Sequence, residues 1–233
     1  MVRCWLNTAF ASWLLLGCVG DVAPVSPVEA LRQQASQARA ANQIDHARAL
    51  LRQAIVLSPI ASRDERATSA DLRRELAGID VSLGEAHEAE KLYKEAVVLL
   101  ESAPAGSIAA IINLRTQLAG LHYRQGNLQE ASEIYYVVLR LETSSLGGEH
   151  PDVLGTLSIL GGLELKLGHT REAEVLFRRQ LVGVEKLPGG EKREVANVLD
   201  NLADTLRKAG RTSEAAELKA KAAQIRHKLC DEC

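Results

Sequence analysis

Five alanines, Ala47, Ala89, Ala131, Ala173 and Ala215, stand 42 residues apart along this chain. The same period carries a turn residue, as Asn42, Gly84, Gly126, Gly168 and Gly210. It also carries a leucine, as Leu76, Leu118, Leu160 and Leu202, with Gln34 in the first copy. An aromatic recurs at Tyr93, Tyr135 and Phe177, with Leu51 in the first copy and Lys219 in the last. Five copies in one register restrict the chain to a repeat architecture, in which each unit buries its apolar face against the next.

The content of one unit follows from the third copy. Ile111, Leu114, Leu118 and Leu121 step by three and four, the stripe of an amphipathic helix. Gly126-Asn127 interrupts that stripe, because glycine accepts the left-handed conformation that closes a helix. Leu128, Ala131, Ile134, Tyr135 and Val138 then resume the spacing. The unit is therefore a helical hairpin, with Ala119 and Ala131 where the two helices approach. The other hairpins are expected at 28–57, 70–83 with 86–101, 151–167 with 170–185, and 193–209 with 212–229. Residues 60–70 read either as a loop or as the start of the next helix. Glu88, Glu130, Glu172 and Glu214 fall in first turns, where the helix dipole favours a carboxylate. Only 3% of residues are aromatic, so the core is expected to be Leu, Ala, Val and Ile.

This pattern resembles the tetratricopeptide repeat, which places small residues early in the first helix, Ala at the start of the second, then an aromatic. The 42-residue period is longer than the usual ~34 and is similar to the lengthened repeats of kinesin light chains. Leu146-Gly-Gly-Glu-His-Pro-Asp-Val153 resembles the segment between repeats in that family. The resemblance spans residues 28–229 and implies an all-α, right-handed superhelical solenoid of five hairpins. It further implies a non-catalytic scaffold whose concave groove binds an extended peptide or a protein partner.

Carrying the family's inner-face positions over gives Asn113, Thr116, Gln117, Gly120, Tyr123 and Arg124 in repeat three. Repeat four gives Gly155, Ser158, Ile159, Gly162, Leu165 and Lys166, and repeat five Asn197, Asp200, Asn201, Asp204, Arg207 and Lys208. The sixth of these helix positions often carries Asn in the family; Asn201 keeps it, Gln117 is close and Ile159 departs. Gly78, Gly120 and Gly162 share the ninth position. Either neighbouring helices approach too closely there for a side chain, or the glycines floor a shallow binding site. In the second case Tyr123, Ile159 and Leu165, with Arg124 and Lys166, suit an apolar side chain beside a carboxylate.

Residues 1–17 read as an export signal, with one charge at Arg3 followed by an apolar run. Leu15-Leu16-Gly17-Cys18 resembles the bacterial lipobox, which implies lipidation of Cys18. An ordinary cleaved signal or an uncleaved anchor is the alternative. Residues 18–27 read as the lipidated cysteine and a tether. Val19 after the cysteine, in place of Asp, resembles lipoproteins sent to the outer membrane. A monomer anchored in a bacterial envelope and facing the periplasm is the expectation.

Formal net charge is −2, with no basic stripe, which argues against nucleic acid. No HExxH, no Gly-rich phosphate loop and no nucleophile with a placed base occurs, so neither an enzyme, a cofactor nor a metal is expected. His122 takes an aromatic's place inside a helix and reads as packed. His46, His87, His169 and His227 fall at exposed positions, and His150 in a loop before Pro151. Cys230 and Cys233, at 230–233, follow a helix C-terminus with Asp231 and Glu232 between them, a setting that raises thiol pKa. A local disulfide or an inert tail is the expectation there, against a thiol or two-ligand metal site. The remaining alternative is a structural subunit packed permanently into a larger envelope complex.

Overall fold

The computed structural model describes residues 26–103, 107–187 and 192–231. The expected signal, Cys18 and the tether as far as residue 25, and the Cys230–Cys233 pairing, lie outside the described residues, while Ser26 and Pro27, expected in the tether, cap and open the first helix. Every regular element among the described residues is a helix. In order these are α1 (Pro27–Ala40), α2 (Ile44–Leu57), α3 (Arg63–Ser82), α4 (Ala86–Glu101), α5 (Ile108–Gln125), α6 (Leu128–Leu146), α7 (Pro151–Leu167), α8 (Thr170–Lys186), α9 (Lys192–Lys208) and α10 (Thr212–Asp231). None is long and apolar enough to cross a membrane.

The period is written in the backbone. Asn42 has φ 59°, and Gly84, Gly126, Gly168 and Gly210 have φ between 81° and 88°, all left-handed. After each turn the next N–H reaches back five residues to a carbonyl. Gln43 N donates to Ala38 O, Glu85 N to Asp80 O, Asn127 N to His122 O, His169 N to Glu164 O and Arg211 N to Leu206 O, at 2.8–2.9 Å. These five closures satisfy carbonyls that a helix end otherwise leaves open. The same closure thus recurs at the turn of every hairpin.

Helix starts follow local capping. Ser26 accepts from Glu29 N at 3.2 Å ahead of Pro27. His150 Nδ1 accepts from Asp152 N at 3.2 Å ahead of Pro151, whose missing N–H costs nothing in a first turn. Of the stretch left open at 60–70, residues 63–70 belong to α3. Ser62 Oγ accepts from Glu65 N at 3.2 Å while Glu65 Oε2 accepts from Ser62 N at 2.8 Å, a capping box that starts the helix at Arg63. At the far end, α6 runs to Leu146 and stops at Gly147, φ 90°.

Packing is sequential: each helix contacts chiefly the helices before and after it, so the hairpins form one superhelical stack. The register alanines are the close-contact points, with Ala47, Ala89, Ala131 and Ala173 at 0% exposure. Between them lie Leu51, Leu72, Leu114, Leu157, Leu160 and Leu202. The last helix, α10, buries little beyond Ala215 and Ala222 among its apolar residues, which leaves its outer face polar.

Candidate peptide-binding groove

The first helices of the hairpins, α3, α5, α7 and α9, carry the inner-face positions. None of the assigned groove residues in repeats three to five is buried. Asn113 and Gln117 join through Gln117 Nε2 to Asn113 Oδ1 at 2.6 Å. Tyr123 and Ile159 stand exposed at 42% and 44%, large apolar surfaces left open to water.

Between α5 and α7 lies a pocket of about 370 Å³. Gly120, Gly162 and Ser158 lie along it, Tyr135 reaches it from α6, and Tyr123, Ile159 and Lys166 stand around it. Lys166 Nζ donates to the Tyr123 hydroxyl and sits 4.5 Å from its ring centroid. That contact ties the last turn of α7 to the last turn of α5 and places a cation at the pocket edge. Leu165 packs instead against the core shared by α8, α9 and α10.

The glycines divide sharply. A Cβ on Gly78 or Gly162 meets nothing within 4 Å, and on Gly120 only Arg124 Nη1 at 3.9 Å. Close helix approach therefore does not explain this row. The crowded glycines lie elsewhere: a Cβ on Gly161 would lie 2.6 Å from the Phe177 ring, and one on Gly183 2.3 Å from Leu154 Cδ2.

Repeat five is different. Arg226 of α10 bonds Asp200 and reaches Asn197 Oδ1 at 3.4 Å. Lys219, at the register of Tyr135, lies 3.6 Å from Asp200 and 3.2 Å from Asp204. Arg207 pairs with Asp204 at 3.4 Å. Asn197 and Asp204, assigned to the groove from sequence, are thus held by neighbouring cations. Asn201 and Lys208 remain at the surface, with Lys208 Nζ 3.4 Å from Leu165 O.

Beneath the groove runs a feature that position-by-position reading of the inner face missed. At the first three junctions one polar residue of a second helix meets one in the next first helix, in fixed register. Arg48 Nε lies 2.7 Å from Asp80 Oδ1. Glu90 Oε1 lies 3.8 Å from His122 Nε2. Ser132 Oγ donates to Glu164 Oε1, whose other oxygen contacts His169 Nδ1 at 2.7 Å. Asp80, His122 and Glu164 are all buried, and burial pushes the Asp80 carboxyl up against the opposing pull of Arg48 and Arg52. At the fourth junction the row becomes Leu206, and Glu174 turns to Arg211 at 2.7 and 2.9 Å. His122 is packed, as its register implies, and His46, His87, His169 and His227 are exposed. No group of three or more His, Cys, Asp or Glu residues placed to hold a metal occurs among the described residues.

Comparison with known proteins places these features. Tetratricopeptide repeat family profiles match residues 107–181 and 195–232. No curated protein sequence matches the chain. Among solved structures, BtubC (BKLC) from P. vanneervenii is 18% identical with a TM-score of 0.66, over 87% of this chain and 80% of that one. A Podosopora anserina putative kinesin light chain with nearly identical TPR-like repeats is 21% identical with a TM-score of 0.66, over 87% and 96%. MamA is 13% identical with a TM-score of 0.61, over 88% and 94%. At these identities the neighbours speak to fold alone. With the family profiles, the 42-residue register and the repeated helix closures, they show that this chain is a tetratricopeptide repeat protein.

Proposed function

We propose that this protein is a non-catalytic scaffold, monomeric and lipid-anchored through Cys18 in a bacterial envelope. It holds an extended segment of an envelope protein in the concave groove of repeats three to five. The observation that carries the reading is the pocket between α5 and α7, walled by Tyr123, Tyr135 and Ile159 above open glycines. Three glycines at one helical register cost up to ~1 kcal/mol each relative to Ala. With open space above them they leave room for a partner to lie against the helix. The pocket accepts one apolar side chain, and Lys166 at its edge faces a carboxylate beside it. The outer-membrane assignment and the periplasmic face rest on Leu15–Cys18 and Val19.

Two substitutions test the halves separately. Cys18→Ser is expected to leave an unlabelled precursor, or a protein released from the membrane fraction. Unchanged fractionation and fatty-acid labelling would overturn the anchor. Gly120→Leu with Gly162→Leu is expected to fill the pocket and abolish capture of the envelope partner while helicity and melting temperature hold. Wild-type capture by a folded double variant would place the binding site elsewhere.

A further inference from the structure

The first hairpin holds a cavity of about 630 Å³ between the start of α1, the end of α2 and the first turns of α3. Pro27, Val28, Leu57 and Pro59 give it apolar walls, and Leu57 is 56% exposed. The carboxylate residues Glu29, Asp64 and Glu65 also line it. The next hairpin has a counterpart of about 490 Å³ between α3, the end of α4 and the start of α5. Ala70, Leu100, Ser107 and Ala110 line that one, each 42 residues after a lining residue of the first, Val28, Ser58, Glu65 and Thr68. The two cavities are thus the same place in consecutive repeats. They differ on one wall. In the second, α3 already begins at Arg63, and Asp64 and Ala67 of its first turns line the cavity ahead of Ala70. In the first, Ser26 caps α1 and Pro27 opens it, so the helix starts too late to supply that wall. Val22 and Val25 hold the register of Asp64 and Ala67.

We propose that Val22-Ala-Pro-Val25 lies across the first cavity and seats its two valines against Val28 and Leu57, completing the wall that α3 builds for itself in the second repeat. Three features select this occupant. The segment is joined to Ser26, itself a lining residue. It therefore meets the site at high effective concentration, without the loss of translational freedom that a separate molecule bears. It carries no charge from 22 to 25, which suits apolar walls, whereas the three carboxylates repel an acidic peptide or a phosphate headgroup. Val22 and Val25 stand three apart, the repeat of a polyproline chain, and Ser26 has that backbone geometry, φ −61° and ψ 149°. The docking goes beyond the groove reading and needs no lipid on Cys18. With that anchor it leaves only residues 19–21 as a spacer, which holds the first hairpin within about 10 Å of the membrane.

Hydrogen exchange of the full chain tests the docking. Val22 precedes the capping Ser26 by four residues, so its substitution in a free tether is silent. Val22→Ser is expected to speed amide exchange in α1 and the last turn of α2 roughly fivefold or more. Ala23→Ser, whose register partner Glu65 does not line the second cavity, is expected to leave it unchanged. Leu57→Ser is expected to act as Val22→Ser does, and the double variant to show no further effect. A diazirine-bearing aliphatic residue at position 57 is expected to crosslink within residues 22–25 on irradiation. Unchanged exchange with Val22→Ser, additive effects of the two substitutions, or acceleration spread evenly over every helix would overturn the proposal. So would crosslinks only to a lipid acyl chain or to a second copy of the chain, which would assign the cavity to that occupant.

Discussion

Gly161 and Gly162 are neighbours with opposite roles. Gly161 shares its register with the fully buried Ala77, Ala119 and Ala203, and Phe177 fills the space a Cβ needs. Gly162 shares its register with Gly78 and Gly120 and faces an open groove. Gly161→Ala is therefore expected to cost about 1–3 kcal/mol through overpacking. Gly162→Ala is expected to stabilise by about 0.5–1 kcal/mol, since the helix gains what glycine forfeits. Urea unfolding of the two single variants checks both signs. The 42-residue register separates the two positions from sequence alone, but which of them is crowded depends on where the Phe177 ring turns. Glu142 shows the same boundary. Its register partners in the two flanking repeats are Leu100 and Val184, though Ser58 and Arg226 hold the register in the end repeats, so an apolar slot was partly legible but its 5% exposure was not. Burial pushes its carboxyl up, against a hydrogen bond with Thr156. A carboxyl raised in the folded state supports folding fully below its unfolded value near ~4.3, and that support is lost as pH rises through the folded value. Glu142→Gln, which keeps the shape without the charge, is expected to gain about 1 kcal/mol at pH 7. The gain should vanish near pH 3.5, where both side chains are neutral (roughly a unit below the unfolded value), as paired denaturant melts would show.

At the scale of helices, turn chemistry made most of the architecture readable. Left-handed Asn and Gly residues and the N–H closures after them act within five residues of chain, so a local pattern sets them. The start of α3 was equally local, yet the Ser62–Glu65 box sits in a charged stretch with no apolar stripe to mark it. The junctions were less readable because their partners lie 32 residues apart, as in Ser132 and Glu164. Each of the first three junctions fills one register with a different pair: Arg48 with Asp80, Glu90 with His122, Ser132 with Glu164. Mismatched neighbours would bury a charge without its partner, so the pairs favour one order of repeats. Moving the first pair into the second junction tests this. Glu90→Arg and His122→Asp are each expected to destabilise, while the double variant recovers. A coupling of about 0.5–3 kcal/mol is expected in a double-mutant cycle. Additive losses would show that the pairs are independent.

For the whole molecule, the repeat stack follows from period and periodicity, since a chain of hairpins that meet only their neighbours can bury its apolar faces only by stacking. Which residues share a row was legible because a helical register repeats. Which inner-face charges are spent internally was not legible, since Arg226 and Lys219 reach Asp200 from a different helix. That distinction reduces the groove to its centre, where the open glycines, Tyr123, Ile159 and Lys166 meet. The central claim is that partners bind there and not on the outer surface, where Val182, at 53%, is more exposed than Tyr123 or Ile159. The most direct measurement places a photo-crosslinking amino acid at position 159 or at position 182 of the full chain and irradiates intact cells. The account predicts a discrete adduct from position 159, none from position 182, and loss of the adduct when Gly162→Leu is added to a chain that still folds. An adduct from position 182 alone, or one from position 159 that survives Gly162→Leu, would contradict it.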